Sequence, residues 1–203
     1  MKCIEAVAAI VEHRASAVIV STMTAIKCLD QIDKNGLNVA CVPLMGGASA
    51  LGVGIALARP ERKVFALDGD GSLLMQLPSL VGACEAAAPN FVHFVFNNGV
   101  WFENLANIPI PGAGRLDFVG LARSAGYRHT FRFTDIGSLR SGLKEVLSVT
   151  DPTFVELVIE PEATGLWKDG NTQPDLPDFH FTRLGDEIRD VRSRLLSTEK
   201  GPA

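Results

Sequence analysis

The chain has 203 residues, 47% of them hydrophobic and 21% charged, with a formal net charge of −4. That length fits one α/β domain with a short appendage, and so apolar a composition builds a core without staples. The weakly acidic balance offers no clustered Lys and Arg to neutralise a phosphate backbone, so nucleic acid is excluded as an expected partner.

Apolar runs alternate with helical spacing along the chain. Residues 2–13 place Ile4, Val7, Ala8 and Val11 on one helix face. Glu5, Glu12, His13 and Arg14 interrupt that stretch, so neither a cleaved leader nor a membrane span is expected, and the reading is a cytoplasmic protein with no membrane partner. A short apolar strand at 17–20 precedes a helix over 24–34, which stops near Asn35-Gly36. Val39 to Val42 reads as the next strand, 46–58 as a helix of small residues ending before Pro60, and Val64 to Leu67 as a third strand. A helix over 73–87 and a strand from Phe91 to Phe96 come next, then a long loop over 99–115. A helix over 117–125, a strand over 129–133, a helix over 136–148 and a strand over 153–159 complete the series.

Continuously apolar strands require helices on both faces of their sheet. The expected fold is therefore α/β: a doubly wound, mostly parallel sheet, whose ligands bind beyond the carboxyl ends of the strands. Residues 1–160 are expected to form that domain. Residues 161–203 read as an extended tail rich in Pro, Asp, Gly and Asn, with a polar helix near 184–197. Cys3, Cys28, Cys41 and Cys84 show no CxxC spacing, so they read as reduced, packed hydrophobes rather than zinc or iron–sulfur ligands.

The strand ending at Leu67 runs into Asp68-Gly69-Asp70-Gly71-Ser72, and the strand ending at Phe96 runs into Asn97-Asn98-Gly99. Twenty-five residues lie between Gly71 and Asn97, room for one helix and one returning strand, so the two loops emerge side by side. Asp70 offers an anionic oxygen and Asn98 a neutral one; Mg2+ accepts both while sharing its shell with phosphates. Gly69 and Gly71 remove side chains, letting backbone N–H groups approach a phosphate, and Ser72 adds a hydroxyl at the start of the following helix. A lone Gly-Asp-Gly is most often a turn. Two such loops at the spacing of one crossover unit read instead as a site for Mg2+ and a diphosphate.

The run Gly69-Asp70-Gly71-Ser72-Leu73-Leu74-Met75-Gln76-Leu77, followed by Asn97-Asn98-Gly99-Val100-Trp101, resembles the signature of thiamine-diphosphate enzymes. The branch it is most similar to holds pyruvate decarboxylase and acetolactate synthase, and the resemblance runs from about residue 15 to 160. It implies thiamine diphosphate and Mg2+ as cofactors, the metal held by Asp70, the Asn98 side chain and the backbone carbonyl of Val100. Gly71 and Ser72 would hold the diphosphate. Ser21 and Thr22 stand at further diphosphate contacts, although Ser-Thr after a strand is equally an ordinary helix N-cap.

Pro43-Leu44-Met45-Gly46-Gly47 lies where the family has a Gly-Ser-bulky-Gly turn. The resemblance makes Met45 the wedge that bends the cofactor and the Pro43 carbonyl the acceptor for its aminopyrimidine; Pro43 and Leu44 themselves depart from the pattern. Core packing is the competing reading of Met45. The loop 99–115 is expected to cover the cofactor, with Trp101 and Phe102 against the cofactor, against a partner, or simply in the core. Glu103 and Asn104 replace a Ser-Thr-Gly-Gly-Gln-like run suited to anionic substrates. They are candidates for proton handling, or else exposed surface. His93 reads as a structural histidine.

The family's activating glutamate lies on a separate pyrimidine-binding domain, for which this chain has no room. The resemblance is greatest to β subunits of sulfopyruvate and phosphonopyruvate decarboxylases, which implies a hetero-oligomer with a pyrimidine-domain subunit and decarboxylation of a small 2-oxoacid. A carboligase of the acetolactate synthase kind shares every cofactor contact. A 2-oxoacid:ferredoxin oxidoreductase subunit and a non-catalytic binding module are the remaining readings.

Overall fold

A computed structural model describes residues 1–34, 36–42, 44–103, 106–163 and 182–197. In chain order the strands are β1 (Val18–Ser21), β2 (Asn38–Ala40), β3 (Val64–Gly69), β4 (Phe91–Asn97), the short β5 (Val100–Trp101) and β6 (Ile108–Pro109), β7 (His129–Phe133) and β8 (Thr153–Val158). The helices are α1 (Cys3–Glu12), α2 (Thr24–Ile32), α3 (Gly47–Ala58), α4 (Asp70–Met75), α5 (Ser79–Ala86), α6 (Phe118–Ala125), α7 (Ile136–Ser148) and α8 (Leu184–Ser197).

Six strands form one sheet in the order β2-β1-β3-β4-β8-β7. Every neighbouring pair in it is parallel. Alternation along the strands divides the core into two layers. Ile19, Phe65, Leu67, Phe94 and Val155 pack with α1, α2 and α7. Val18, Val20, Ala66, Val95 and Phe154 pack with α3, α5, α6 and α8. Burial on both faces explains why the strands are apolar throughout, and it makes the doubly wound reading correct.

The chain winds from β1 outward to β2 in one direction and from β3 outward through β4 in the other. The carboxyl ends of β1 and β3 therefore bracket the switch point, where a crevice opens in sheets of this kind.

Three features depart from the sequence reading. The helix over 73–87 is two helices: α4 starts earlier, at Asp70, and stops before Gln76, and α5 begins after Pro78. A proline within a helix removes a donor and clashes with the preceding turn, so the chain breaks there. The loop 99–115 contains an antiparallel pair, Val100 opposite Pro109 and Trp101 opposite Ile108. Finally, α8 lies along the outer edge of the sheet, where Glu187 accepts a hydrogen bond from the Ala40 backbone N–H at 2.5 Å. Val191 and Leu195 of α8 are buried, so this helix covers an edge strand that would otherwise expose unpaired donors. No helix among the described residues is long and apolar enough to cross a membrane.

Candidate functional site

A cavity of about 260 Å3 opens at the switch point, between the segments that follow β1, β3 and β4. Thr22, Met45, Gly69, Asp70, Gly71, Ser72, Asn98, Val100, Trp101 and Glu103 all line it. The structure thus brings together most of the residues singled out from the sequence. Ser21 is buried in β1 and is not among the lining residues. Pro43 and Asn104 lie outside the described residues.

Asp70 ties the two loops together. Its Oδ1 accepts from the Gly71 N–H at 2.7 Å and its Oδ2 from the Gly99 N–H at 2.7 Å. Only 2% of the residue is exposed. Burial outweighs those hydrogen bonds and pushes the carboxyl up to about 6, with the negative charge of Glu103 adding to the rise. A raised carboxyl favours the folded state below the ordinary carboxylate range, and that contribution is lost as pH rises through about 6. At neutral pH the site therefore holds a costly buried anion, which a cation would stabilise.

Asn98 Oδ1 accepts from the Val100 N–H at 3.0 Å, closing a turn that keeps the amide oxygen at the cavity. The carbonyl of Val100 is freed by sheet geometry. Gly99 accepts from the Ile110 N–H at 3.0 Å. Alternation in an antiparallel pair then makes Val100 and Pro109 a non-hydrogen-bonded pair. Pro109 is tolerated because that position needs no ladder donor, and the Val100 carbonyl is turned off the ladder for the same reason. Among the described residues no group of three His, Cys, Asp or Glu converges. A metal here would rest on one carboxylate and neutral oxygens, a donor set suited to Mg2+ with phosphate completing the shell.

The turn before α3 joins the same site. Gly46 has φ 82°, a conformation that favours glycine. Its N–H donates to Ser72 Oγ at 2.7 Å, so the Met45 turn is fastened to the loop after β3. Met45 is half-buried at the cavity wall. Thr22 is buried, and its hydroxyl donates to the Cys41 carbonyl at 3.4 Å.

Glu103 sits at the rim with both oxygens engaged. Thr24 Oγ1 donates to Oε2, and the Glu162 N–H donates to Oε1 at 3.0 Å. It therefore clamps the segment after β5 to the start of α2 and to the chain beyond β8. Sequence reading missed both partners, because they lie 79 and 59 residues away. It also missed the pairing of His93 with Asp68: His93 Nε2 lies 3.2 Å from Asp68 Oδ2, with both side chains fully buried. That pair joins β3 to β4 directly beneath the two loops. Met23 and Phe102 stand at the cavity mouth with positive φ, 51° and 52°. Side chains rarely adopt that conformation, and such strain gathers at functional sites.

Gly71 is required by contact: a Cβ there would overlap the Nε1–Cδ1 edge of the Trp101 indole. Gly71→Ala is expected to displace Trp101 and destabilise the fold by roughly 1–3 kcal/mol, the usual cost of overpacking. Thermal or urea unfolding measures it, and an unchanged midpoint would mean that the indole has free space to move into.

A model of the thiamine pyrophosphate enzyme, C-terminal TPP binding domain, matches residues 21–157. The phosphonopyruvate decarboxylase of Streptomyces viridochromogenes is 34% identical over 148 residues, covering 73% of this chain and 36% of that protein. The sulfopyruvate decarboxylase subunit beta of Methanothermobacter thermautotrophicus is 32% identical over 117 residues, covering 58% of this chain and 59% of that one. The chain thus spans between about a third and three-fifths of the length of these curated relatives. Its fold also matches the X-ray structure of a protein from Mycobacterium smegmatis assigned as a thiamin diphosphate-dependent enzyme. The TM-score is 0.67 at 22% identity, covering 80% of this chain and 32% of that one.

Proposed function

The chain belongs to the thiamine pyrophosphate enzyme C-terminal TPP-binding domain family, and from this we propose that it is the diphosphate- and Mg2+-binding half of a 2-oxoacid decarboxylase. The pyrimidine-binding half, with its activating glutamate, comes from a partner polypeptide. The observation that carries this reading is the convergence of Asp70, Asn98 and Val100 on a cavity also lined by Gly71 and Ser72. Residues 1–160 are assigned to the cofactor domain and 161–203 to its appendage, of which 164–181 and 198–203 lie outside the described residues.

The donor set fits the cofactor. One buried carboxylate with a raised pKa, one amide oxygen and one carbonyl off the ladder suit Mg2+. When bound, thiamine diphosphate would supply a nucleophilic thiazolium carbon and an electron sink for the bonding pair that departing CO2 leaves behind. The chain's own residues do the rest. Asp70, Asn98 and the Val100 carbonyl hold the metal, and Ser72 and the Gly71 backbone hold phosphate oxygens. Met45 supports the rings, and the segment from Trp101 to Glu103 shields the cavity from water. The acidic Glu103 at the rim disfavours a strongly anionic substrate, so a small 2-oxoacid with a neutral side chain is the expected class.

One relative supports a divided enzyme: it is named as a beta subunit. The rim agrees with a missing wall: Met23, Met75 and Phe102 line the cavity mouth with their side chains exposed. Titrating Mg2+ and thiamine diphosphate into the chain with its partner tests the proposal; failure to bind would overturn it.

Met45 gives a narrower test. Met45→Ala is expected to slow hydrogen–deuterium exchange at the cofactor C2 in the assembled complex by on the order of a hundredfold, since misplacement of reacting groups is steeply penalised. Diphosphate affinity should change little, and Met45→Leu should restore most of the rate. Ordinary core packing predicts instead a stability loss of about 2–5 kcal/mol with normal exchange.

A further inference from the structure

We propose that Trp101 is a diphosphate-contacting residue, its indole N–H donating a hydrogen bond to a phosphoryl oxygen at the Gly71 loop; this rests on the cofactor reading above. Three observations lead there. First, Trp101 Nε1 is buried and has no hydrogen-bond partner among the described residues. A buried donor without an acceptor is rare in folded proteins and points to a partner from outside the chain. Second, the indole is held with its Nε1–Cδ1 edge against Gly71, where even one added methyl group would overlap it. The donor is thus at the turn read as the phosphate loop, and not elsewhere on the cavity wall.

Third, the nearby acceptors are engaged by other donors, and none of them takes the indole N–H. Both Asp70 oxygens accept from backbone N–H groups, those of Gly71 and Gly99. Ser72 Oγ accepts from the Gly46 N–H. The backbone that carries the ring is also fixed, because Trp101 pairs with Ile108 in the β5–β6 hairpin. An aromatic needed only for packing would serve as well without the N–H. Indole is a donor and never an acceptor, so the ligand atom it suits is an acceptor oxygen, and one that carries charge makes the stronger bond. Between a phosphate and a carboxylate, the proposed Mg2+ donors Asp70 and Asn98 on the same cavity favour the phosphate, because Mg2+ shares its shell with substrate phosphates.

The test uses the full chain and Mg2+-pyrophosphate as the probe. Trp101→Phe keeps an aromatic ring and removes the N–H; Trp101→His keeps a ring N–H. Calorimetric titration is expected to show about ten- to a hundredfold weaker binding by the Phe variant, the range for losing one hydrogen bond to a charged group, with the His variant in between. Far-UV circular dichroism checks that both variants fold. A second readout leaves Trp101 in place. Trp167 is the other tryptophan in the sequence, so in a Trp167→Phe chain the emission reports Trp101 alone. That emission is expected to change with Mg2+-pyrophosphate and not with Mg2+ alone.

Equal or tighter binding by a folded Trp101→Phe variant overturns the proposal. If the variant does not fold, emission that ignores Mg2+-pyrophosphate at saturating concentration overturns it. If the wild-type chain binds neither Mg2+-pyrophosphate nor Mg2+-thiamine diphosphate, the cofactor reading falls, and this proposal with it. Binding by the wild type with no loss in the variant removes the Trp101 role alone.

Discussion

Asp70→Ala is expected to abolish Mg2+-dependent cofactor binding while leaving the fold intact. Asp70 is the one charged group in the proposed donor set, and Asn98 and Val100 contribute only neutral oxygens. Removing even an outer-shell partner of a metal typically weakens affinity by 10–100-fold, and loss of a direct anionic ligand should exceed that. The fold should survive because the carboxylate is itself a destabilising group at neutral pH, as its rise to about 6 shows. The substitution leaves the Gly71 and Gly99 N–H groups without their acceptor, and it also removes a buried charge. These effects oppose each other, so the unfolding midpoint should move by only a few degrees. Calorimetry on wild type and variant, each with partner, thiamine diphosphate and Mg2+, measures the binding. Unchanged cofactor affinity in a folded Asp70→Ala complex would remove Asp70 from the metal site.

The purified chain alone is expected to show no decarboxylase turnover, and addition of the partner should restore activity at a fixed stoichiometry. The physical ground is the exposed apolar rim of the site among the described residues. Met75 is 55% and Phe102 59% exposed at the cavity mouth, and Leu44 beside the Met45 turn is 58% exposed. Large apolar side chains grouped around a cavity mouth mark a surface that another polypeptide covers. On the divided-enzyme reading, water enters the site without that cover, and the carboxylate that activates the aminopyrimidine is the partner's to supply. The isolated chain should also self-associate through this rim, which sedimentation at increasing concentration would detect. Phe102→Asp should reduce self-association and weaken partner binding together, without changing the circular dichroism spectrum. Sustained release of CO2 from a 2-oxoacid by the chain alone would refute the divided-enzyme reading.

Much of this molecule could be read from one line of sequence. Val64 to Leu67 and Phe91 to Phe96 are apolar on both alternating sets of positions, and only a strand with both faces covered uses such a run. That fact by itself places Asp70 and Asn98 at neighbouring strand ends. The glycines around Asp70 and the spacing to Asn98 carry the chemistry locally, within segments of a few residues. The break at Pro78 was also legible, since proline ends a helix by local sterics, and the reading of one helix over 73–87 passed it by.

Other features belong to tertiary structure alone. The β5–β6 hairpin has two residues on each side, too short for any periodicity to show. Its register decides that the Val100 carbonyl is off the ladder, and register depends on partners across the turn. The contact of Trp101 with Gly71, the hold of Thr24 and Glu162 on Glu103, and the pair His93–Asp68 join residues that are distant in sequence. Sequence by itself determined the fold class and the two cofactor loops, because strand burial and glycine turns are short-range properties of the chain. The shape of the cavity, the raised carboxyl of Asp70 and the orphaned indole donor were decided only when the sheet brought those loops together, because burial and hydrogen-bond partnership are properties of the packed whole.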